Sequence, residues 1–347
     1  MIEGEHLTGH QPAAEEAAGT ETPHEQRTAD APARPAAGVR RQTLPNGMEV
    51  AYQSRAEVAF FYHDIFEKQI YLLHGVALRD GDCVFDIGAN VGFFTLFAHR
   101  QARDIKVYAF EPAPPLFECL RINTSLHGVN ARLFNCGLSR EEKTAAFTYY
   151  PNSSGMSSFY ADKREEKEAL RAIMLNQLQR GVEGMERVML HAEDLLEERL
   201  KSQTFECRLR TVSDIIAEEQ VERIDFMKID VQKSELDVLE GIRPGDWPKI
   251  RQVVIEVHDI GGRLREVQEL LKARGYRVAV EQDDHYENSN TYNLFAVREE
   301  SPTAPEPAGR AAHIARDSLK QIHDRARRQE EALSRRKQLL EQRKKGR

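Results

Sequence analysis

Cysteine is scarce in this sequence and tryptophan scarcer, with four of the first and one of the second in 347 residues. Cys83, Cys119, Cys136 and Cys207 lie far apart with no C-x-x-C pair. That excludes a disulfide scaffold or zinc knuckle as the organising principle and makes a reducing compartment the expectation. No apolar run approaches the ~18 residues of a membrane helix, so no membrane span is expected. The N-terminal stretch has no apolar h-region, so no secretory leader is expected, and the expected location is cytoplasmic. Hydrophobic residues, at 40%, are slightly short of what a chain folded throughout would hold, which points to polar tails around an ordinary core. A net positive balance is missing from all but the C-terminal end. Residues 1–38 hold seven acids against Arg27 and Arg34, a net −5, and residues 310–347 hold thirteen Lys and Arg against five acids, a net +8. With −7 overall, the body between carries −10, which argues against a nucleic-acid-binding core.

What is present falls into segments. Residues 1–38, rich in Ala, Glu, Pro, Thr and Gly, read as a disordered tail. Residues 39–79 supply a hairpin turning at Asn46-Gly47 and a helix with Ile65, Ile70 and Leu73 on one face, expected as substrate or cap elements. From residue 80 to 299 short apolar strands alternate with amphipathic helices, implying an α/β fold: a mostly parallel, doubly wound sheet with helices on both faces. The last two strand patterns, Tyr276–Gln282 and Thr291–Arg298, are joined without a long helix and should form an antiparallel edge. An insert at 144–210 interrupts the pattern. It carries the small-residue loop "PNSSGMSSF" and charged helical segments at 162–180 and 189–201, and it is expected to be a lid or substrate-binding element. A proline-rich linker at 300–310 leads to a basic helix at 311–347. Ile314, Leu319, Ile322, Ala326, Leu333 and Leu340 mark a narrow apolar stripe on that helix, suited to a protein partner or self-association.

The stretch Val84–Thr95, "VFDIGANVGFFT", places a glycine-rich turn directly after the first buried strand. In open α/β sheets ligands bind at such turns. A dinucleotide fingerprint, G-x-G-x-x-G, would need glycine where Asn90 and Phe93 stand, and a phosphate-binding G-x-x-x-x-G-K-[ST] loop is absent. The spacing Asp86-x-Gly88-x-Asn90-x-Gly92 is that of S-adenosylmethionine binding. Nineteen residues after Gly92, Glu111 ends the second strand, where a carboxylate can accept hydrogen bonds from a ribose diol. Asn135, at the end of the third strand, is a candidate to bracket the adenine.

Four stretches, "VFDIGANVGFFTLFA", "AFEPAPPLFECLRIN", "FMKIDVQKSELDVLEGI" and "VVIEVHD", in this order, resemble the FkbM-type S-adenosylmethionine-dependent methyltransferases over roughly Asp80 to Arg298. The resemblance implies a class I methyltransferase (Rossmann-like) fold with a seven-stranded sheet. It also implies the cofactor at the glycine-rich loop and methylation of a hydroxyl oxygen on a small-molecule or carrier-tethered natural product. One departure stands out: the family's usual D-V-E-G-S/A-E is here Asp230-Val231-Gln232-Lys233-Ser234-Glu235.

An aliphatic alcohol needs its proton removed before it can accept a methyl group. By period-2 alternation Lys228 and Asp230 share one side of the fourth strand, and Glu256 and His258 one side of the fifth. Neighbouring strands lie ~4.8 Å apart, so these residues are expected to converge. His258 is the candidate base, Asp230 its helper or a substrate-orienting group, and Lys228 a neutralising cation. Asp230 and Glu256 would suit Mg²⁺, although no third ligand is evident. His63 and His285 are expected at the surface, although a lid would be able to bring them in. Two rivals remain: a non-catalytic scaffold working through its basic helix, and a nicotinamide-dependent oxidoreductase.

Overall fold

The computed structural model describes residues 39–298 apart from positions 183, 284, 285 and 288. The expected 1–38 tail, 300–310 linker, 311–347 helix and His285 lie outside the described residues. The described part begins with the expected hairpin, β1 (Arg40–Thr43) and β2 (Glu49–Tyr52), turning through Asn46-Gly47. Helix α1 (Arg55–Phe61) passes into a π-helical stretch, Tyr62–Lys68. The helix expected through Ile70 and Leu73 is corrected here. Gln69 takes φ 55°, a left-handed conformation that ends the helix, and the segment beyond is irregular.

The alternating region follows as β3 (Cys83–Ile87), α2 (Phe93–Gln101), β4 (Lys106–Phe110), α3 (Pro114–Leu126) and β5 (Ala131–Phe134). The insert comprises β6 (Gly137–Leu138), β7 (Lys143–Tyr149), α4 (Lys163–Gln179), α5 (Met185–Leu190), α6 (Ala192–Arg199) and β8 (Gln203–Arg210). Then come α7 (Val212–Glu218), β9 (Phe226–Ile229), α8 (Glu235–Glu240), β10 (Gln252–His258), α9 (Arg263–Ala273), β11 (Tyr276–Glu281) and β12 (Thr291–Arg298).

Seven strands form one sheet in the order β11-β12-β10-β9-β3-β4-β5. β12 alone is reversed against its neighbours, so the β11–β12 pair makes the expected antiparallel edge. Starting at β3, the chain winds outward through β4 and β5, then crosses back to β9 on the other side. The reversal of strand order between β3 and β9 opens a crevice at their carboxyl ends. The strands read as unbroken apolar runs because both faces are covered: Val84, Phe85 and Phe226 through Ile229 on β3 and β9 are nearly all fully buried. Each such aliphatic or aromatic side chain contributes roughly 1.5–3 kcal/mol on leaving water.

The insert holds strands that its sequence did not announce. β7 pairs antiparallel with β8, and β6 joins them in a separate three-stranded sheet. Tyr150, Leu170, Met174, Met185, Leu196 and Leu200 make a small core of its own. The single helix expected at 189–201 is corrected to two, α5 and α6, which break at His191.

Candidate active site

A cavity of about 670 Å³ lies over the crevice between β3 and β9. Its floor at one end is the turn after β3. Gly88 takes φ 79°, and a Cβ there would lie 1.8 Å from the carbonyl oxygen of Asp230. Two backbones therefore meet with no room for a side chain, which is why the position is glycine. Asn90, at φ 52°, also borders the cavity, and its Nδ2 donates to Ser154 Oγ of the insert at 3.0 Å. Glu111 closes this end. Its Oε2 accepts from the Asn90 N–H at 2.9 Å and its Oε1 from the Ala113 N–H at 2.8 Å. Burial pushes the acid up to about 7, against the pull of those two N–H groups. Each oxygen keeps a lone pair for another donor.

Three residues expected to touch a cofactor sit elsewhere. Gly92 caps α2 at φ 92° and packs toward Leu120, whose Cδ1 a Cβ would meet at 2.7 Å. Asp86 is fully buried beneath the loop, accepting from Thr95 Oγ1 at 2.6 Å and pairing with Lys228 Nζ at 3.3 Å. Asn135 is exposed and donates to the carbonyls of Glu111 and Pro112, so it shapes the β4–α3 turn from outside. All three brace the loop rather than line the cavity, because spacing in sequence does not say which face of a turn a side chain takes.

Against the same turn, Lys228, Asp230, Glu256 and His258 line the cavity together. Lys228 Nζ donates to the Gly88 carbonyl at 3.0 Å and lies 3.5 Å from Asp230. Burial works against its charge, but Asp86 and Asp230 outweigh burial and hold it above the ordinary lysine value. Tyr71 OH donates to Asp230 Oδ2 at 3.0 Å. Glu256 accepts from Gln232 Nε2 at 3.0 Å, and burial together with Asp230 pushes it up to about 8, so it carries its proton at neutrality. His258 Nδ1 lies 2.8 Å from Glu235 Oε1. As Glu235 can only accept, that nitrogen holds the proton, and Nε2 is the ring atom left for the cavity. Burial opposes a charged His258, yet the hydrogen bond to Glu235 and the charges of Glu235 and Asp230 more than compensate and raise its basicity.

Sequence reasoning missed Glu235, Tyr71 and Tyr286, the last of which lines the cavity from the β11–β12 connection. Glu235 was visible only as an acid at a helix start, and nothing in the local pattern marked the two tyrosines. His63 is a surface residue, exposed and paired with Glu67 at 2.6 Å. Among the described residues, no group of three or more His, Cys, Asp or Glu side chains is arranged to hold a metal ion. No described helix is long and apolar enough to cross a membrane.

Residues 86–278 match the family described as the Methyltransferase FkbM domain. The chain belongs to the FkbM methyltransferase family. It is thereby an S-adenosylmethionine-dependent methyltransferase, and the nicotinamide alternative falls away. This FkbM chain is 42% identical over 255 residues, covering 74% of itself and 95% of the relative, to the 31-O-demethyl-FK506 methyltransferase FkbM of Streptomyces tacrolimicus. It is 31% identical to Methyltransferase 1 of Beauveria bassiana, covering 67% of itself and 86% of that protein. A third relative, the AMB antimetabolite synthetase AmbE of Pseudomonas aeruginosa, is 37% identical over 74% of this chain, which spans only 12% of that protein. The cavity suits the family's cofactor. Gly88 leaves bare backbone at the turn, Glu111 offers one open acceptor position on each oxygen, and the volume falls within the range of ligand pockets.

Proposed function

We propose that the chain methylates a hydroxyl oxygen of a small-molecule or carrier-tethered natural-product intermediate, with His258 as general base. The observation that carries this reading is the Glu235–His258 pair, which engages Nδ1 and leaves Nε2 as the basic atom of a side chain that lines the cavity. The Streptomyces relative's name specifies an oxygen acceptor, and the match to a segment of an antimetabolite synthetase suits an acceptor held on an assembly enzyme.

Bound S-adenosylmethionine supplies a methyl group made electrophilic by its sulfonium. The backbone at Gly88 and the Glu111 carboxylate would hold it, the latter through the ribose hydroxyls, with Asn90 alongside. The acceptor hydroxyl gives its proton to Nε2 of His258, and Glu235 stabilises the imidazolium so formed. Glu256, protonated at neutrality, donates to the acceptor and orients it. Lys228 balances the buried Asp86 and the half-buried Asp230, so neither carboxylate is left unpaired. Phe93, Phe94 and Phe110 supply an apolar wall that keeps water out while charge disperses.

Screening candidate alcohols by intact mass with labelled S-adenosylmethionine should reveal an acceptor. With it, His258→Gln should lower kcat by about 10²–10⁴-fold while affinity for S-adenosylhomocysteine is kept. The wild-type rate should rise with pH through a midpoint above the ordinary histidine value, since the base must be free of its proton. Undiminished turnover in the variant removes His258 from the role.

A further inference from the structure

Methyl-transfer chemistry leaves one sequence feature unabsorbed, the lysine that stands at position 233 where the family usually has glycine. Lys233 takes φ 74°, directly after Gln232 at φ 44°. Glycine is at ease in that left-handed region and lysine is strained. The backbone of Lys233 is clamped there: its N–H donates to Glu235 Oε1 at 2.8 Å, and its carbonyl accepts from Arg263 Nη1 at 2.8 Å. The side chain leaves the loop altogether and crosses to the insert. Its ammonium lies 2.8 Å from Glu165 Oε2 and 2.9 Å from Glu166 Oε1, both in the first turn of α4.

This pair differs from the exposed ion pairs on the outer face of the insert. The Lys233 side chain is 10% exposed and that of Glu166 only 2%. Glu166 Oε1 also accepts from the Asp162 N–H at 3.2 Å, while its buried Oε2 has no hydrogen-bond partner. Removing the ammonium would strand a carboxylate away from water, a far larger perturbation than losing a surface pair. Lys233, Glu165 and Glu166 all line the cavity, as do Leu170, Ile173 and Met174 further along α4.

We propose that Lys233 is a positioning residue: by bridging Glu165 and Glu166 it ties the first turn of α4 to the loop after β9, and this tether sets how readily the cavity opens. The proposal rests on the reading that the cavity holds the cofactor. It explains why a strained lysine occupies a glycine position, since glycine would relax the loop and release the wall.

The test uses the full chain with S-adenosylhomocysteine as probe, following release by displacement with labelled ligand and hydrogen exchange across residues 163–179. In Lys233→Met, release and association should both quicken by roughly tenfold while Kd stays within about threefold. The α4 amides should lose protection while those of β3 and β9 keep it. Lys233→Arg, which preserves the charge pairing, should restore wild-type kinetics. Lys233→Gly is the decisive variant, because it relieves the strain and breaks the tether at once. It should release the probe as fast as Lys233→Met with a higher Tm than that variant. A lysine serving stability alone would lower Tm and leave the rates unmoved, and that outcome overturns the proposal. So does a loss of affinity as large as that caused by Gly88→Val, which would put Lys233 against the cofactor. If the wild-type chain does not bind the probe, the cofactor reading fails, and α4 exchange in the unliganded variants still decides the tether.

Discussion

At the β3–β4 end of the cavity the walls are mostly backbone. Gly88 abuts the Asp230 carbonyl, and main-chain N–H groups hold both oxygens of Glu111. At the α4 end the walls are side chains, many of them charged, brought from a segment far away in sequence. The contrast follows from what each end does. A cofactor of fixed shape is met by geometry that the sheet imposes, and main-chain groups at a strand end vary little. An acceptor is met by an insert whose side chains can be exchanged without disturbing the sheet. Two of the raised acids along the cavity also differ in their surroundings. Two N–H donors restrain the rise of Glu111 to about 7, whereas Glu256, at about 8, has Asp230 beside it to push it further.

The sharpest way to break the comparison is to fill the backbone end. Gly88→Val places a branched side chain where even a Cβ meets a carbonyl at 1.8 Å, and should weaken S-adenosylhomocysteine binding by at least ~100-fold, equivalent to ~2.7 kcal/mol. Calorimetry that found wild-type affinity would show that the loop is not the cofactor's seat. Glu111→Gln should have the next largest effect, a loss of about 10–100-fold from weakened hydrogen bonding to a charged acceptor. In the wild type the same affinity should decline as pH falls through about 7, where Glu111 takes up a proton and loses an acceptor position, and the variant should not show that decline. The smallest effect concerns stability. Glu256 has its folded value raised, so the stability it lends is complete below the ordinary carboxylate value and is lost as pH rises through about 8. Glu256→Gln cannot ionise, so its Tm should fall less than that of the wild type between pH 5 and 9. Parallel curves would mean that another group carries the pH dependence.

How much of this was legible differs between the two ends. The turn after β3 followed from its glycine spacing, Glu111 from its place at the end of β4, and the convergence of Lys228, Asp230, Glu256 and His258 from strand alternation, because a period of two fixes the facing of every second side chain. Gly92, Asp86 and Asn135 carried the right spacing but turned to brace the loop, since a turn's facing is set by the helices packed on it. The insert was legible as helices and a small-residue loop, whereas β7 and β8 were not. Their pairing spans about sixty residues and leaves no local mark. Glu235 looked like an ordinary helix-start residue, and Lys233 stood out only as a departure from the family's pattern, until the fold gave them His258 and α4 as neighbours.

The sequence alone therefore determined the alternating sheet, the glycine turn and the carboxylate that follows it, because apolar runs, glycines and strand periodicity act over a few residues at a time. Only the tertiary structure decided which acid tunes His258, which tyrosine holds Asp230 and what Lys233 reaches. Those are contacts between segments that loop closure brings together, and their energies depend on a burial that no short stretch of sequence expresses.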